Sequence, residues 1–284
     1  MVELVFKGLT IRVNPLFFAL FPASAALGVT GQLIVLLVSA FMHETAHMLA
    51  GLVSGARPDR LEIRLLGLTA RLPDIEFLPA ANKYAVYIAG PVTNLFAALA
   101  AFRIGYDFAY IINLAFFAFN MMPARTLDGG RILGTFLSRR IGFLRASRVM
   151  NRVNRAMCII LMALGIVQAV LYPLNLSLYL LGFILLRQGK TESAAECLRF
   201  TLALMHGRKY TDTRRITAVR STAFSIETPV KMLFDYLNYD TLASFYIYDS
   251  SGITTILSEH DLIQRIKMQG ITGNIGDHPE TKPN

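Results

Sequence analysis

His43, Glu44 and His47 stand as H-E-x-x-H inside an apolar run, LIVLLVSAFMHETAHMLAGLV, that covers 33–53. On a helix, residues four apart share a face one turn apart, so both imidazoles can aim a ring nitrogen at one ion. Glu44 then lies beside them as a carboxylate. This is the pattern of zinc-dependent hydrolysis, in which a catalytic zinc takes three protein ligands and keeps one position open for water. Two ligands are present here, so a third must come from elsewhere. The pattern arises by chance in soluble chains. Within an apolar span it has weight, because ionisable groups there are costly without a partner or a task.

Asp128 is the candidate third ligand. It lies in FNMMPARTLDGGRIL, and no other acidic residue occurs between Asp107 and Lys190. Pro123 lacks an amide proton and breaks the preceding helix, while Gly129 and Gly130 permit tight backbone geometry around the carboxylate. Irregular backbone at membrane depth is tolerated where it lines a polar or protein-enclosed cavity. The other roles open to Asp128 are a helix cap or an ion pair with Arg125 or Arg131. The remaining histidines, His206, His260 and His278, fall in the polar tail, and the two cysteines form no CxxC pair.

Elements able to position these residues follow from composition. Of 284 residues, 54% are apolar and 17% charged, an apolar excess for a globular chain. It is concentrated in 13–188. Six candidate spans read as 13–29, 31–53, 84–102, 107–124, 156–172 and 174–188, several shorter than the ~20 residues that cross a bilayer comfortably. The last two, parted by Pro173 and Asn175, can also be read as one tight hairpin. The net charge of +9 crowds the ends of apolar segments, which points to membrane anchoring and away from nucleic acid. Arg57, Arg60, Arg64, Arg71 and Lys83 lie between spans two and three. Arg125, Arg131, Arg139, Arg140, Arg145, Arg148, Arg152 and Arg155 lie between spans four and five. The alternate connections carry only Arg103, so both termini and the two long basic loops are expected in the cytoplasm. Ala23-Ser24-Ala25 also fits a signal-peptidase site, an alternative fate for the first span that leaves later spans unchanged. Between spans two and three, LEIRLLGLTARLPD reads as a hairpin whose edge could accept a peptide strand.

These residues together resemble the site-2 proteases, intramembrane zinc metalloproteases. The resemblance rests on the HExxH segment, on AGPVTN with Gly90, Pro91 and Asn94, and on Asn120, Pro123, Leu127, Asp128 and Gly129 in the order N-x-x-P-x-x-x-L-D-G. It is clearest over 10–135. Thr45-Ala46 and Thr126 depart from the usual pattern but remove no ligand. The resemblance implies His43, His47 and Asp128 as ligands of Zn²⁺ and Glu44 as the base. Asn120 and Asn94 are the residues that would position substrate or stabilise an oxyanion.

Residues 189–214 read as a short helix, ESAAECLRFTLALM, and a basic linker, HGRKYTDTRR. From 215 to 284 a small α+β unit follows: helix PVKMLFDYLNY, two strands in ASFYIYDSSGITTIL, and helix SEHDLIQRIKM. Ser258 with Asp261 fits a helix N-cap with an acidic third residue. The order resembles a CBS domain, closing on Gly252, Ser258 and Asp261. That resemblance implies an adenine nucleotide contacted by Ser258 and Asp261, at a site two modules would complete by homo-oligomerisation.

The expected fold is thus a polytopic α-helical membrane protein of about six transmembrane helices with a small CBS-like C-terminal domain. The domains are 1–188, a linker 189–214 and 215–284. The expected partners are the lipid bilayer, a membrane-associated protein substrate and membrane-bound inhibitor proteins, with no nucleic acid. Length and order resemble the sporulation branch of the family, which implies a sigma-factor proprotein as substrate in a bacterial cell membrane. A metal-binding membrane regulator without hydrolysis is the alternative, against which an intact Glu44 argues. A transporter reading lacks the internal repeat such folds show.

Overall fold

The computed structural model describes residues 2–6, 9–64, 67–72, 75–76, 78–172, 175–205, 219–237, 242–269 and 274–275. The chain divides into two compact units, Met1–Ile132 and Leu133–Asn284.

The first unit opens with β1 (Val2–Phe6) and β2 (Leu9–Val13), then α1 (Leu16–Ala26) and α2 (Thr30–Val53), followed by β3 (Arg60–Arg64) and β4 (Gly67–Arg71). The four strands form one sheet in the order β1-β2-β3-β4. β2 and β3 pair in parallel, Thr10 opposite Arg60, so the helical pair α1–α2 is the crossover between them. The hairpin expected over 61–74 is β3–β4, with Glu62 opposite Thr69. The β1–β2 hairpin was not expected; five-residue strands give too short a period to stand out beside apolar helices. α3 (Ala80–Arg103) and α4 (Asp107–Asn120) complete the apolar helices of this unit.

Helix α2 is inverted relative to a soluble helix. Its buried residues are Ser39, Ala40, His43, His47 and Gly51, spaced by about one turn. Ile34, Val38, Phe41, Leu49, Leu52 and Val53 are exposed. Polar groups inward and apolar ones outward suit a helix whose surroundings are hydrocarbon. α3 repeats the pattern, burying Lys83, Gly90 and Asn94 while exposing Ile88, Phe96 and Leu99. Among the described residues, α2, α3 and the later α6 (Phe143–Leu171) are long and apolar enough to cross a membrane; α1 and α4 are shorter apolar helices.

After α4 the chain turns through Pro123 into α5 (Asp128–Ile141). Read from sequence, 125–155 is a basic connection; it is instead helical from Asp128 to Ile141 and again through α6. Glycines and arginines hide an amphipathic helix whose acidic first residue and basic last turn, Arg139 and Arg140, suit its dipole. Gly142, at φ +85°, ends α5 with its amide on the Ser138 carbonyl, 2.9 Å away, as left-handed caps do.

In the second unit α6 packs against α7 (Ser177–Met205). The separate short helix expected after 189 is the second half of α7, which runs on unbroken because no proline or glycine pair intervenes in TESAAECLRFTLALM. Pro173, the basic linker at 206–215, His206 and His278 lie outside the described residues. The α+β part is a three-stranded sheet, β5 (Val219–Ser225), β6 (Leu242–Asp249) and β7 (Gly252–Ser258), in that order. β5 and β6 are parallel, joined through α8 (Val230–Leu233) and a 3-10 turn at Phe234–Tyr236; β6 and β7 form a hairpin. At its tip Ser251 donates to Asp249, which holds that carboxyl below its usual range. α9 (Glu259–Gln269) closes the unit. Phe224, Leu233, Leu237, Phe245, Ile247, Leu257 and Leu262 make its core with Phe200 of α7. Each such side chain is worth roughly 1.5–3 kcal/mol of burial. Asp235 pairs with Arg145 at 3.4 Å and with Arg148, and the Arg145 guanidinium lies 4.5 Å from the Tyr236 ring centre.

Candidate metal centre

Helical spacing brings His43 and His47 edge to face, with ring centres 4.6 Å apart and planes at 82°. Their Nε2 atoms are 3.0 Å apart. Asp128, the first residue of α5, sets Oδ2 3.1 Å from His43 Nε2 and 3.2 Å from His47 Nε2. Its other oxygen faces Arg131 Nη1 at 4.0 Å. All three are buried, at 5%, 7% and 5% exposure for His43, His47 and Asp128, deep enough to strengthen any charge interaction there.

Two glycine devices allow this approach. A Cβ on Gly90 of α3 would come within 2.7 Å of His47 Cε1 and 2.8 Å of His43 Cε1, so only glycine lets α3 lie against both rings. Cβ atoms on Gly129 and Gly130 would strike the backbone carbonyls of Met121 and Ala124. The bend after α4 therefore presses directly on the first turn of α5 and delivers Asp128 to the histidines. Neither Gly129 nor Gly130 is among the positive-φ glycines; close approach, not left-handed backbone, explains them.

The far ring nitrogens fix the chemistry. His43 Nδ1 meets Asn94 Oδ1 at 2.5 Å and His47 Nδ1 meets the Val86 carbonyl at 2.6 Å. Both partners are acceptors, so each Nδ1 carries the proton and donates. Neutral imidazoles then present Nε2 lone pairs, and these point at each other and at a carboxylate oxygen. Three lone pairs converging in a buried space are complementary to a cation. Tetrahedral zinc at about 2.0–2.1 Å from each ligand sets ligand atoms about 3.3 Å apart, close to the 3.0–3.2 Å separations here. The donor set fits zinc. Among the described residues, His43, His47 and Asp128 form a group of ligand atoms all within 4.8 Å of one another. Such outer hydrogen bonds to histidine are the usual means of aiming imidazoles at a metal.

The other anticipated residues are placed differently. Glu44 follows His43 on α2 and is half-buried. Asn120, in the last turn of α4, donates to the Phe116 carbonyl at 3.0 Å. Asn94 is fully buried and spends its carbonyl on His43. Ser258 and Asp261 bond each other: the Ser258 backbone N–H and hydroxyl donate to Asp261 Oδ2 at 3.1 and 2.6 Å, and the Asp261 amide donates back to the Ser258 hydroxyl at 3.2 Å. That is a reciprocal cap on α9. Sequence reasoning missed the role of Val86, whose carbonyl leaves no mark in the sequence, and of Gly90 as the opening for both rings.

The model of Peptidase family M50 matches residues 104–164. A zinc metalloprotease of Methanocaldococcus jannaschii is 25% identical over 187 residues, 62% of this chain and 51% of its own length. Stage IV sporulation protein FB of Bacillus subtilis is 25% identical over 182 residues, 61% of this chain and 62% of that protein. The chain thus spans between half and two thirds of these relatives. The solved site-2 protease of M. jannaschii superposes with a TM-score of 0.53 at 21% identity, covering 68% of this chain and 94% of that one. Over the superposed part, the fold is like that of a site-2 protease.

Proposed function

We propose that this chain, a relative of the site-2 metalloproteases, is a zinc-dependent endopeptidase that cuts a protein substrate in or near its membrane segment. The observation carrying this reading is the convergence of His43, His47 and Asp128 with both far imidazole nitrogens engaged as donors. Zinc held there supplies Lewis acidity, making water more acidic and polarising a carbonyl. Glu44, one residue from a ligand, takes the proton from the attacking water and passes it to the leaving amine. The peptide C–N bond breaks as the new C–O bond forms, and the hydrolysis balances with one water. Asn120, at the end of α4, is the remaining candidate to position the substrate backbone.

The domains in this reading are a transmembrane protease at 1–188, a linker at 189–214 and a CBS-like cytoplasmic part at 215–284. The bias of basic residues supports cytoplasmic termini and the six apolar helices as spans. A sigma-factor proprotein as substrate is supported by the likeness to the sporulation protein of B. subtilis. An adenine nucleotide at Ser258 and Asp261 would have to replace the cap they now make.

The test compares wild type with Glu44→Gln and Asp128→Ala in the presence of a membrane proprotein. Glu44→Gln should retain one zinc per chain and lose cleavage; Asp128→Ala should lose both. Cleavage by Glu44→Gln at the wild-type rate would remove the assigned base.

A further inference from the structure

Asn113 is the buried residue of α4, a helix whose Ile111 and Leu114 are exposed. A polar amide buried in such a helix is costly unless paired, and both ends of this one are paired. Its Nδ2 donates to the Ala109 carbonyl at 2.9 Å, one turn back, and its Oδ1 accepts from Asn94 Nδ2, also at 2.9 Å. Asn94 Nδ2 donates in addition to the Ser39 carbonyl at 3.3 Å, the longer and weaker of its two contacts. Asn94 Oδ1 then faces His43 Nδ1.

Directions in this chain are forced from its far end. The Ala109 carbonyl can only accept, so the NH₂ of Asn113 turns toward it and the oxygen turns toward Asn94. That oxygen can only accept, so Asn94 shows it an N–H and shows its own oxygen to His43. We infer that Asn113 is a positioning residue for the metal: through Asn94 it holds the His43 proton on Nδ1 and leaves the Nε2 lone pair for zinc. This rests on the reading of His43, His47 and Asp128 as a zinc site. With Asn94 reversed, its NH₂ would face Nδ1, the imidazole proton would move to Nε2, and a metal would have to displace it.

The experiment measures zinc affinity of the detergent-solubilised full chain by chelator competition, with thermal unfolding alongside. Asn113→Leu keeps an apolar helix but removes the acceptor that orients Asn94. Its zinc affinity should fall about tenfold, the lower end for loss of an outer-shell partner. Asn113→Asp keeps an oxygen acceptor for Asn94 Nδ2 in nearly the same volume, and should stay within about threefold of wild type. Wild-type affinity in Asn113→Leu, whatever its stability, would overturn the relay. So would equal losses in the two variants, which would show that volume and not polarity matters. Failure of the wild-type chain to bind zinc would instead sink the metal reading on which the relay stands.

Discussion

Phe41 of α2 and Phe245 of β6 are the same side chain in opposite settings. Phe41 is 57% exposed on a helix that buries Ser39, His43 and His47; Phe245 is 0% exposed in a strand that alternates buried Ala243, Phe245 and Ile247 with half-exposed neighbours. The first unit turns polar groups inward because its outside suits hydrocarbon, where apolar side chains lose nothing by exposure. The α+β part of the second unit does the reverse, as water demands. The price of the inverted arrangement is that each inward polar group must find a partner, and in α2 those partners assemble the candidate metal site.

Gly90→Val should break the contrast most severely. Its side chain would occupy the space of both imidazoles, so the variant should retain no zinc by metal analysis while remaining helical by circular dichroism. Retained zinc would mean that α3 has freedom to withdraw. Next, the two phenylalanines can be set against each other. Phe245→Ala should cost about 3–5 kcal/mol of unfolding free energy, as buried aromatic truncations do, while Phe41→Ala should cost less than about 1 kcal/mol in a bilayer or detergent micelle. Denaturant or thermal melts of the full chain would show it; equal costs would mean that Phe41 is covered by another surface. The smallest effect is Ser258→Ala, which removes the reciprocal cap of α9 and should cost about 1 kcal/mol. Unchanged melting would show that the cap contributes nothing to the α+β core.

Legibility differed between the two units for a physical reason. The six apolar segments read from sequence all contain helix, and β6, β7 and the closing helix of the α+β part fall where alternation and the Ser-Gly turn put them; β5 was not anticipated, and the helix read over PVKMLFDYLNY is α8 followed by a 3-10 turn. These are local signals: period, length and cap chemistry. α5 was hidden because Gly129, Gly130 and Gly134 with Arg131, Arg139 and Arg140 look like loop. Gly129 and Gly130 are there for backbone approach at Met121 and Ala124, a demand set by tertiary contact. The β1–β2 hairpin escaped because its five-residue strands are too short to show a period, and the pairing of β2 with β3, about fifty residues away, leaves no local mark.

The sequence alone placed two imidazoles and a carboxylate on one helix, because a four-residue spacing on α2 is a matter of helical geometry. It also singled out Asp128 as the one acid in a long apolar stretch. Only the tertiary structure decided that α5 carries Asp128 to within 3.2 Å of both rings, that Val86 and Asn94 fix their protons, and that Asn113 stands behind Asn94. Those contacts join residues 19 to 85 positions apart. No local periodicity encodes them; they follow from which faces of α2, α3 and α4 meet and how closely glycine lets them.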